Sequence, residues 1–267
     1  MSVTTPSLFN FRLTPLEHVV PWGEPGAQTL HWFGLTDGEY WMQVGADALF
    51  EYSEFARTAT GCLRYCNYQI VRLYEDITGI LPYILDPVPP SLVPYLSGDS
   101  GAVWRKNYLA WQKEALTDSD ENRFWDLADA AGMWIFNRTL DTSYLRQSPD
   151  VRIWSDTENV HIEWNNIEKT LEGKPVWTAL SGSAQLSREE FISEAQAFHD
   201  ALMSQMGERV ERVLAGVLPQ HVQIDLPGLK REHAERSRTL ERELSGPTAP
   251  TDWERVRHAV REVERFR

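Results

Sequence analysis

The sequence predicts an α+β protein in which a small antiparallel sheet is covered by helices and followed by a helical C-terminal extension. Short segments of alternating apolar and polar residues occur early and in the middle of the chain, and longer segments with helical apolar spacing surround them. With 267 residues, 42% of them hydrophobic, the chain can bury a sizeable core. We expect one domain over residues 1–246 and a separate amphipathic helix over 251–267.

The first part of the sheet is predicted as an N-terminal hairpin. Its strands are Leu30–Leu35 and Glu39–Val44, and they flank Asp37-Gly38, a dipeptide typical of two-residue turns because both residues tolerate positive φ. Alternation in the second strand predicts two faces, an apolar one of Tyr40, Met42 and Val44 and a polar one of Glu39, Trp41 and Gln43.

Helices are predicted after this hairpin. Apolar residues recur at near-helical spacing between Tyr68 and Leu81, and Pro82 is expected to end that helix. The remaining predictions are a loop over 86–101 and helices over 103–116 and 120–140.

The central part of the sheet is predicted as a meander. Val151–Asn166 contains two strands joined by a turn at Asp156–Asn159, and a third strand is expected at Pro175–Ala179. Alternation predicts an exposed polar face that carries Arg152, Trp154, His161, Glu163 and Asn165.

Ser187 and Glu190 form a capping box that opens a long amphipathic helix. Further helices are predicted over 229–245 and, after a linker at 245–250, from a second capping box of Thr251 and Glu254.

The charge of the chain limits its partners. The formal net charge is −13, whereas residues 219–267 are nearly neutral, with ten Lys/Arg against nine Asp/Glu. Nucleic-acid binders need clustered basic residues, so we expect no nucleic-acid partner. An acidic body favours capture of a basic protein. The N-terminus has no basic start followed by an apolar run, and no segment has the length of a membrane span, which predicts a cytoplasmic protein without membrane contact.

The motifs give no catalytic signature. Gly98-Asp99-Ser100-Gly101 has the letters of a serine-protease nucleophile loop without the matching histidine context. Cys62 and Cys66 are predicted to be buried and inert, because no further cysteine completes a zinc site. We therefore expect no catalytic residue, metal or cofactor. One alternative stays open: Asp37, Glu39 and Glu163 would form a carboxylate group if both hairpins shared a sheet.

Several segments together resemble a known family. NFRLTPLEHVVPWG, LHWFGLTDGEYWMQVG, NYQIVRLYEDITGILP, VRIWSDTENVHIEWNN and FISEAQAFHDALMSQMGERVERV resemble, in that order over residues 8–245, an uncharacterised bacterial domain of unknown function that is common in actinomycetes. The acidic, tryptophan-rich composition is also similar in style to immunity proteins of bacterial toxin systems. The second resemblance implies a non-enzymatic inhibitor that covers the active surface of a basic toxin.

The leading functional prediction is therefore an acidic protein-binding domain of immunity or antitoxin type. Aromatic side chains beside carboxylates make good interface anchors. The predicted contact residues are Trp32, Asp37, Glu39, Trp41, Trp154, His161 and Glu163. The alternative is a small-molecule binder or enzyme with an aromatic and carboxylate pocket. A third prediction is a homo-oligomer formed through the C-terminal helix.

Overall fold

The computed structural model describes residues 7–115, 121–219, 221–245 and 250–265. The predicted α+β class is confirmed, with small antiparallel sheets set among helices. The strands are β1 (Phe9–Leu13), β2 (Asp37–Val44), β3 (Asp47–Leu49), β4 (Cys66–Gln69), β5 (Val151–Ser155), β6 (Asn159–Asn165), β7 (Thr170–Leu171), β8 (Lys174–Pro175) and β9 (Ser181–Ser187). The helices are α1 (Glu54–Thr60), α2 (Ile70–Ile84), α3 (Val93–Leu96), α4 (Gly98–Ala115), α5 (Glu121–Phe136), α6 (Arg188–Leu214), α7 (Leu226–Arg236), α8 (Thr239–Ser245) and α9 (Trp253–Arg265). No helix in the described ranges is both long and apolar enough to cross a membrane.

The first sheet has β2 at its centre, with β1 along one side and β3 and β4 along the other. The predicted apolar face of β2 is confirmed, because Tyr40, Met42 and Val44 are buried. The predicted hairpin is wrong, since Asp37 and Gly38 are the first residues of β2. A Cβ on Gly38 would lie 2.3 Å from the Arg12 carbonyl oxygen of β1. This glycine therefore permits close strand pairing and makes no turn.

The second sheet has the order β5-β6-β9. The predicted pair β5 and β6 is confirmed, but the third strand is β9 and not the predicted Pro175–Ala179 segment. Val176 and Trp177 lie outside this sheet and are buried in the core. The Ser/Gly/Ala-rich composition of β9 is depleted in the residues that favour strands, so the pattern gave no signal for it.

The main core lies between the sheets, α2 and α6. The predicted capping box at the start of α6 is confirmed, with the Glu190 amide 3.1 Å from Ser187 Oγ and the Ser187 amide 2.8 Å from a Glu190 oxygen. Helix α6 then packs against β1, β6 and β9. Helix α2 ends at Ile84 and includes Pro82, which the sequence had predicted to end it. The proline removes only one backbone donor near the helix end, and the helix continues past it.

A second core covers the other face of β5 and β6. Its members come from α3, α4, α5 and α9, together with Val88 and Leu92 before α3 and Trp154 of β5. The predicted exposed polar face is therefore wrong for Arg152, Trp154 and Glu163, which are buried. It is right for Asn165, which is exposed, and in part for His161, which is half-buried. The predicted loop over 86–101 is also wrong in part, since it contains α3, and the GDSG segment forms the first turn of α4.

The C-terminal helix α9 packs against α5 within the second core. Its apolar residues Val256, Ala259, Val260 and Val263 are buried in its own chain, so an oligomer through this face would require α9 to leave α5. The capping box predicted from Thr251 and Glu254 at the start of α9 is wrong. The Arg255 amide donates to the Asp252 carboxylate at 3.0 Å. Residues 246–249 of the predicted linker lie outside the described residues.

Candidate functional site

The predicted contact residues of the first sheet have three different surroundings. Trp32, a predicted contact residue, is fully buried and presents no side-chain surface to a partner. Its Nε1 donates to His233 Nδ1 at 3.3 Å, and the Arg236 guanidinium lies 4.6 Å from the ring centroid. Asp37 is half-buried and accepts a hydrogen bond from the Thr14 hydroxyl at 3.1 Å.

Glu39 and Trp41 lie on the outer face of β2, as predicted. Trp41 is half-buried and stacks on Tyr65 with ring centroids 4.1 Å apart. Arg12 lies 5.7 Å from the Trp41 ring and forms a 2.9 Å ion pair with Glu39. This outer-face patch of Arg12, Glu39, Trp41 and Tyr65 combines aromatic surface with charge.

Two of the predicted contact residues of the second sheet are buried. Trp154 packs into the second core, and Glu163 accepts hydrogen bonds from the Ser97 hydroxyl and from the Gly98 amide at 3.3 Å. Glu163 therefore interacts with the start of α4, where a carboxylate is favourable. The condition for a carboxylate group of Asp37, Glu39 and Glu163, an alternative that the sequence left open, is not met, because β2 and β6 belong to different sheets.

His161 keeps a partly exposed side chain. It stacks on Trp154 at 4.1 Å between ring centroids, and its Nε2 lies 2.8 Å from an Asp156 oxygen. Partial burial alone would raise the pKa of Asp156, but the amides of Asn159 and Glu158 and the His161 ring together lower it to about 2.

A cavity of about 590 Å³ that sequence reasoning missed lies between α1, β4 and the segment that joins α5 to β5. Ligand pockets of roughly 300–1,000 Å³ are typically apolar and aromatic, with a few polar groups. This tyrosine-lined cavity has that composition. It is lined by Tyr52, Ala56, Thr60, Cys62, Asn67, Tyr68, Tyr144, Leu145, Arg146, Gln147, Leu171 and Val176.

Tyr144 in the cavity wall joins two buried side chains, Tyr40 and Asp76, in a hydrogen-bonded chain. The Tyr40 and Tyr144 hydroxyls lie 3.0 Å apart, and Tyr144 donates to Asp76 Oδ2 at 3.0 Å. Both bonds of the Tyr144 hydroxyl therefore go to groups that do not line the cavity. The ring of Tyr144 stacks on Tyr68 at 4.7 Å, and Arg72 lies 5.0 Å from its centroid.

Burial controls the protonation of these hydrogen-bonded side chains. It raises the pKa of Asp76 to about 7, although the Tyr144 hydroxyl and Arg72 act in the opposite direction. Burial likewise raises the pKa of Tyr40 well above its ordinary value. It also raises the pKa of Cys66, which lies beside the Tyr40 and Tyr52 hydroxyls, to about 12. Cys66 is therefore a neutral thiol, as predicted for an inert cysteine, whereas Cys62 is half-buried and lines the cavity.

A larger groove of about 1,000 Å³ includes Trp32 and one face of α7. One of its lining arginines, Arg236, is already paired with Glu75 at 2.7 Å and with Glu232 at 2.9 Å. The tyrosine-lined cavity is the better candidate, since its described lining contains an arginine, Arg146, and no carboxylate. Within the described ranges, no three His, Cys, Asp or Glu side chains are grouped as metal ligands would be.

One sequence signal could have led to the cavity. Asp76 is a carboxylate within the apolar stripe of α2, between the buried residues Tyr74 and Ile77. A buried carboxylate requires a partner, and the pattern therefore indicates a polar contact in the core. The sequence gives no indication that the partner is Tyr144, which lies 68 residues away.

The fold and the cavity define an α+β protein with a preformed aromatic pocket. Residues 8–259 match the DUF5984 family, a family of unknown function, and the chain belongs to that family. The match extends into α9, beyond residue 245 where the recognised resemblance ended. No curated protein and no solved structure matches the chain.

Proposed function

We propose that this protein binds a planar aromatic molecule with one carboxylate group in the tyrosine-lined cavity. The observation that carries the proposal is the chemistry of the cavity lining. Three tyrosine side chains and four aliphatic side chains line the space, and among the described lining residues only Arg146 is charged. Aromatic walls favour a flat apolar ligand, and a single guanidinium favours one carboxylate.

The proposal describes a binding protein and not an enzyme. The most strongly perturbed carboxyl, Asp76, lies behind Tyr144, and the Tyr144 hydroxyl already has two buried partners. A general acid or base must reach the reacting group within hydrogen-bond distance. The enzyme alternative would need the hydrogen-bonded chain of Tyr40, Tyr144 and Asp76 to open toward the cavity.

A thermal-shift screen followed by calorimetry tests the proposal. The probes are benzoate, 4-hydroxybenzoate and 1-naphthoate, each paired with its uncharged amide and with the corresponding arylmethylamine. We expect the carboxylates to bind most tightly. Arg146→Gln should weaken carboxylate binding about tenfold or more, because a charge-assisted hydrogen bond contributes roughly 1.5–3 kcal/mol. Equal binding of carboxylate and amide would contradict the role of Arg146.

Arg231→Gln is the matched control. Arg231 is also an exposed arginine, but it lines the larger groove beside α7. The substitution changes the net charge by the same amount, and we expect it to leave carboxylate binding unchanged. If it instead removes binding, the ligand occupies the groove and the proposal for the tyrosine-lined cavity fails.

A second proposal is that the chain is an acidic protein-binding domain, of immunity or antitoxin type, for a basic partner. The outer-face patch supports this proposal, because Trp41 and Tyr65 form a stacked aromatic surface beside Glu39. The net charge of −13 would steer a basic partner toward the chain. The test is a pull-down from a lysate of the source cells at low and high salt. A basic protein captured by the natural chain and lost with Trp41→Ala would support it.

A further inference from the structure

Strand β9 forms one edge of the second sheet. Among the described strands it pairs only with β6, over seven residue pairs from Ser181 to Ser187. Ser181, Gly182, Ser183 and Gln185 are exposed. Natural proteins usually protect such an edge with lysine, proline, a bulge or a covering segment. The sequence SGSAQLS has no charged residue and no proline.

The direction of the backbone groups in β9 follows from the bonds on either side of it. The Asn166 amide donates to the Leu180 carbonyl. In the antiparallel register, the amides and carbonyls of the even-numbered residues of β9 therefore point toward β6. The Ser187 amide instead donates to the Glu190 side chain, on the outer side. The amides and carbonyls of Ser181, Ser183 and Gln185 therefore point away from β6. In the described part of the chain, these backbone groups have no hydrogen-bond partner.

We propose that two copies of this chain pair through β9 in antiparallel orientation, which joins their second sheets into one continuous sheet. A two-fold axis through Ser183 places Ser183 opposite its own copy and Ser181 opposite Gln185 of the partner chain. In each of these residue pairs, both amides donate to the carbonyl of the opposite residue. The Ser183 pair and the two Ser181–Gln185 pairs together give about six new hydrogen bonds. Such a contact uses the same surface on both copies and closes on itself.

Charge favours a second copy as the occupant of this edge. A chain with a net charge of −13 repels its own copy over most of its surface. The β9 edge brings no like charges into direct opposition, because the seven residues of the strand are uncharged. The apolar face of α9, which was the predicted route to an oligomer, is already covered by its own chain.

The first test is sedimentation velocity over about a hundredfold range of concentration. We expect the natural chain to reach twice its mass of 30.7 kDa. Ser183→Pro should remain a monomer, because proline removes the central outward amide. The strand should tolerate it, since an edge strand accepts proline where the N–H faces solvent. Ser183→Ala keeps the amide and should still dimerise. Circular dichroism checks that both variants are folded.

The second test fixes the register by cross-linking. In the proposed pairing, the two Ser183 Cα atoms lie about 5.5 Å apart, within the range of a disulfide. Ser183→Cys should therefore form a disulfide-linked dimer under mild oxidation. Gln185→Cys should not, because its counterpart lies four positions along the strand. A monomer at every concentration, a dimer that survives Ser183→Pro, or equal cross-linking of the two cysteine variants would each overturn the proposal.

Discussion

The two cores of this protein differ in the polar groups that they bury, although each contains an unpaired indole nitrogen, that of Trp164 in the main core. In the main core, the hydroxyls of Tyr40 and Tyr144 and the carboxyl of Asp76 are joined in a hydrogen-bonded chain beside a cavity. In the second core, aromatic rings pack against one another, and the indole nitrogens of Trp104 and Trp154 are buried without a partner. Unpaired buried polar atoms lower stability, whereas connected ones specify an arrangement.

The comparison separates the roles of two residue types. The chain has 11 tryptophans and nine tyrosines. Trp104, Trp111, Trp134 and Trp154 belong to the second core, and Trp32, Trp164 and Trp177 belong to the main core, where their large apolar surface is buried. Three of the nine tyrosines, Tyr52, Tyr68 and Tyr144, line the cavity, whereas Tyr95 and Tyr108 pack against the second core. Buried tryptophans therefore stabilise both cores, and three tyrosines mark the cavity.

The strongest test of this separation is Trp134→Ala in the second core. Trp134 is 3% exposed, and its Nε1 donates to the Ala131 carbonyl at 2.8 Å. We expect a loss of about 3–5 kcal/mol in the free energy of unfolding, as for other buried tryptophans. Urea denaturation measures it. Trp125→Ala on the same helix is the control, because Trp125 is 43% exposed. A comparable loss in both variants would contradict the assignment of Trp134 to a packed core.

The next test concerns the protonation of Asp76. The folded chain holds this proton up to about pH 7, whereas the unfolded carboxyl titrates near 3.8. The folded state therefore binds more protons between these values, and the free energy of unfolding should fall as the pH rises through that window. The total change is at most about 4 kcal/mol, since one pKa unit corresponds to about 1.4 kcal/mol.

Asp76→Asn should remove this pH dependence, because the amide has no proton to lose. The measurement is urea denaturation between pH 4 and pH 8 for both chains. Asp141→Asn is the matched control, since Asp141 also lies near Arg72 but is largely solvated and has a lowered pKa. If the Asp76→Asn chain keeps the natural slope, Asp76 is ionised in the folded state.

A smaller effect is expected from Tyr144→Phe, which removes the central hydroxyl of the main core. Tyr40 and Asp76 would each lose a partner at about 3.0 Å. An unsatisfied buried group costs about 1–3 kcal/mol. Tyr68→Phe is the control, because no described residue hydrogen-bonds to the Tyr68 hydroxyl although its ring stacks on Tyr144. Equal stability of the two variants in thermal or urea unfolding would show that the hydrogen bonds of the Tyr144 hydroxyl contribute nothing to stability.

The same comparison explains how much of the fold the sequence could predict. Local patterns predicted β5, β6 and the capped start of α6, because alternation and capping act between neighbouring residues. The third strand was missed, since β9 is a strand only through its partner β6. The Asp37-Gly38 turn failed for a related reason. Gly38 lies close to the backbone of β1, which is 25 or more residues away in the chain.

The candidate site was less predictable than the fold. The expected contacts rested on alternation, which assigned Trp154 and Glu163 to solvent because the second layer of helices was not anticipated. Tyr40 was correctly placed in the core, but its link to Tyr144 crosses 104 positions of sequence. Pairing of this kind depends on the packing of distant elements, and no local spacing encodes it. Asp76 is the exception, because a carboxylate in an apolar helix stripe is visible without a structure.

The smallest expected effect belongs to the outer-face patch, the part of the predicted contact surface that is still accessible. Trp41→Ala removes a stack on Tyr65 and a contact with Arg12, and both are exposed in part. We expect a loss of roughly 0.5–1.5 kcal/mol in stability. Trp41→Phe keeps an aromatic ring and should lose less. A residue with so small a structural role is informative for binding, because its removal leaves the fold in place. If Trp41→Ala instead costs as much as Trp134→Ala, then the outer face is part of a core, and the case for a protein partner at this patch disappears.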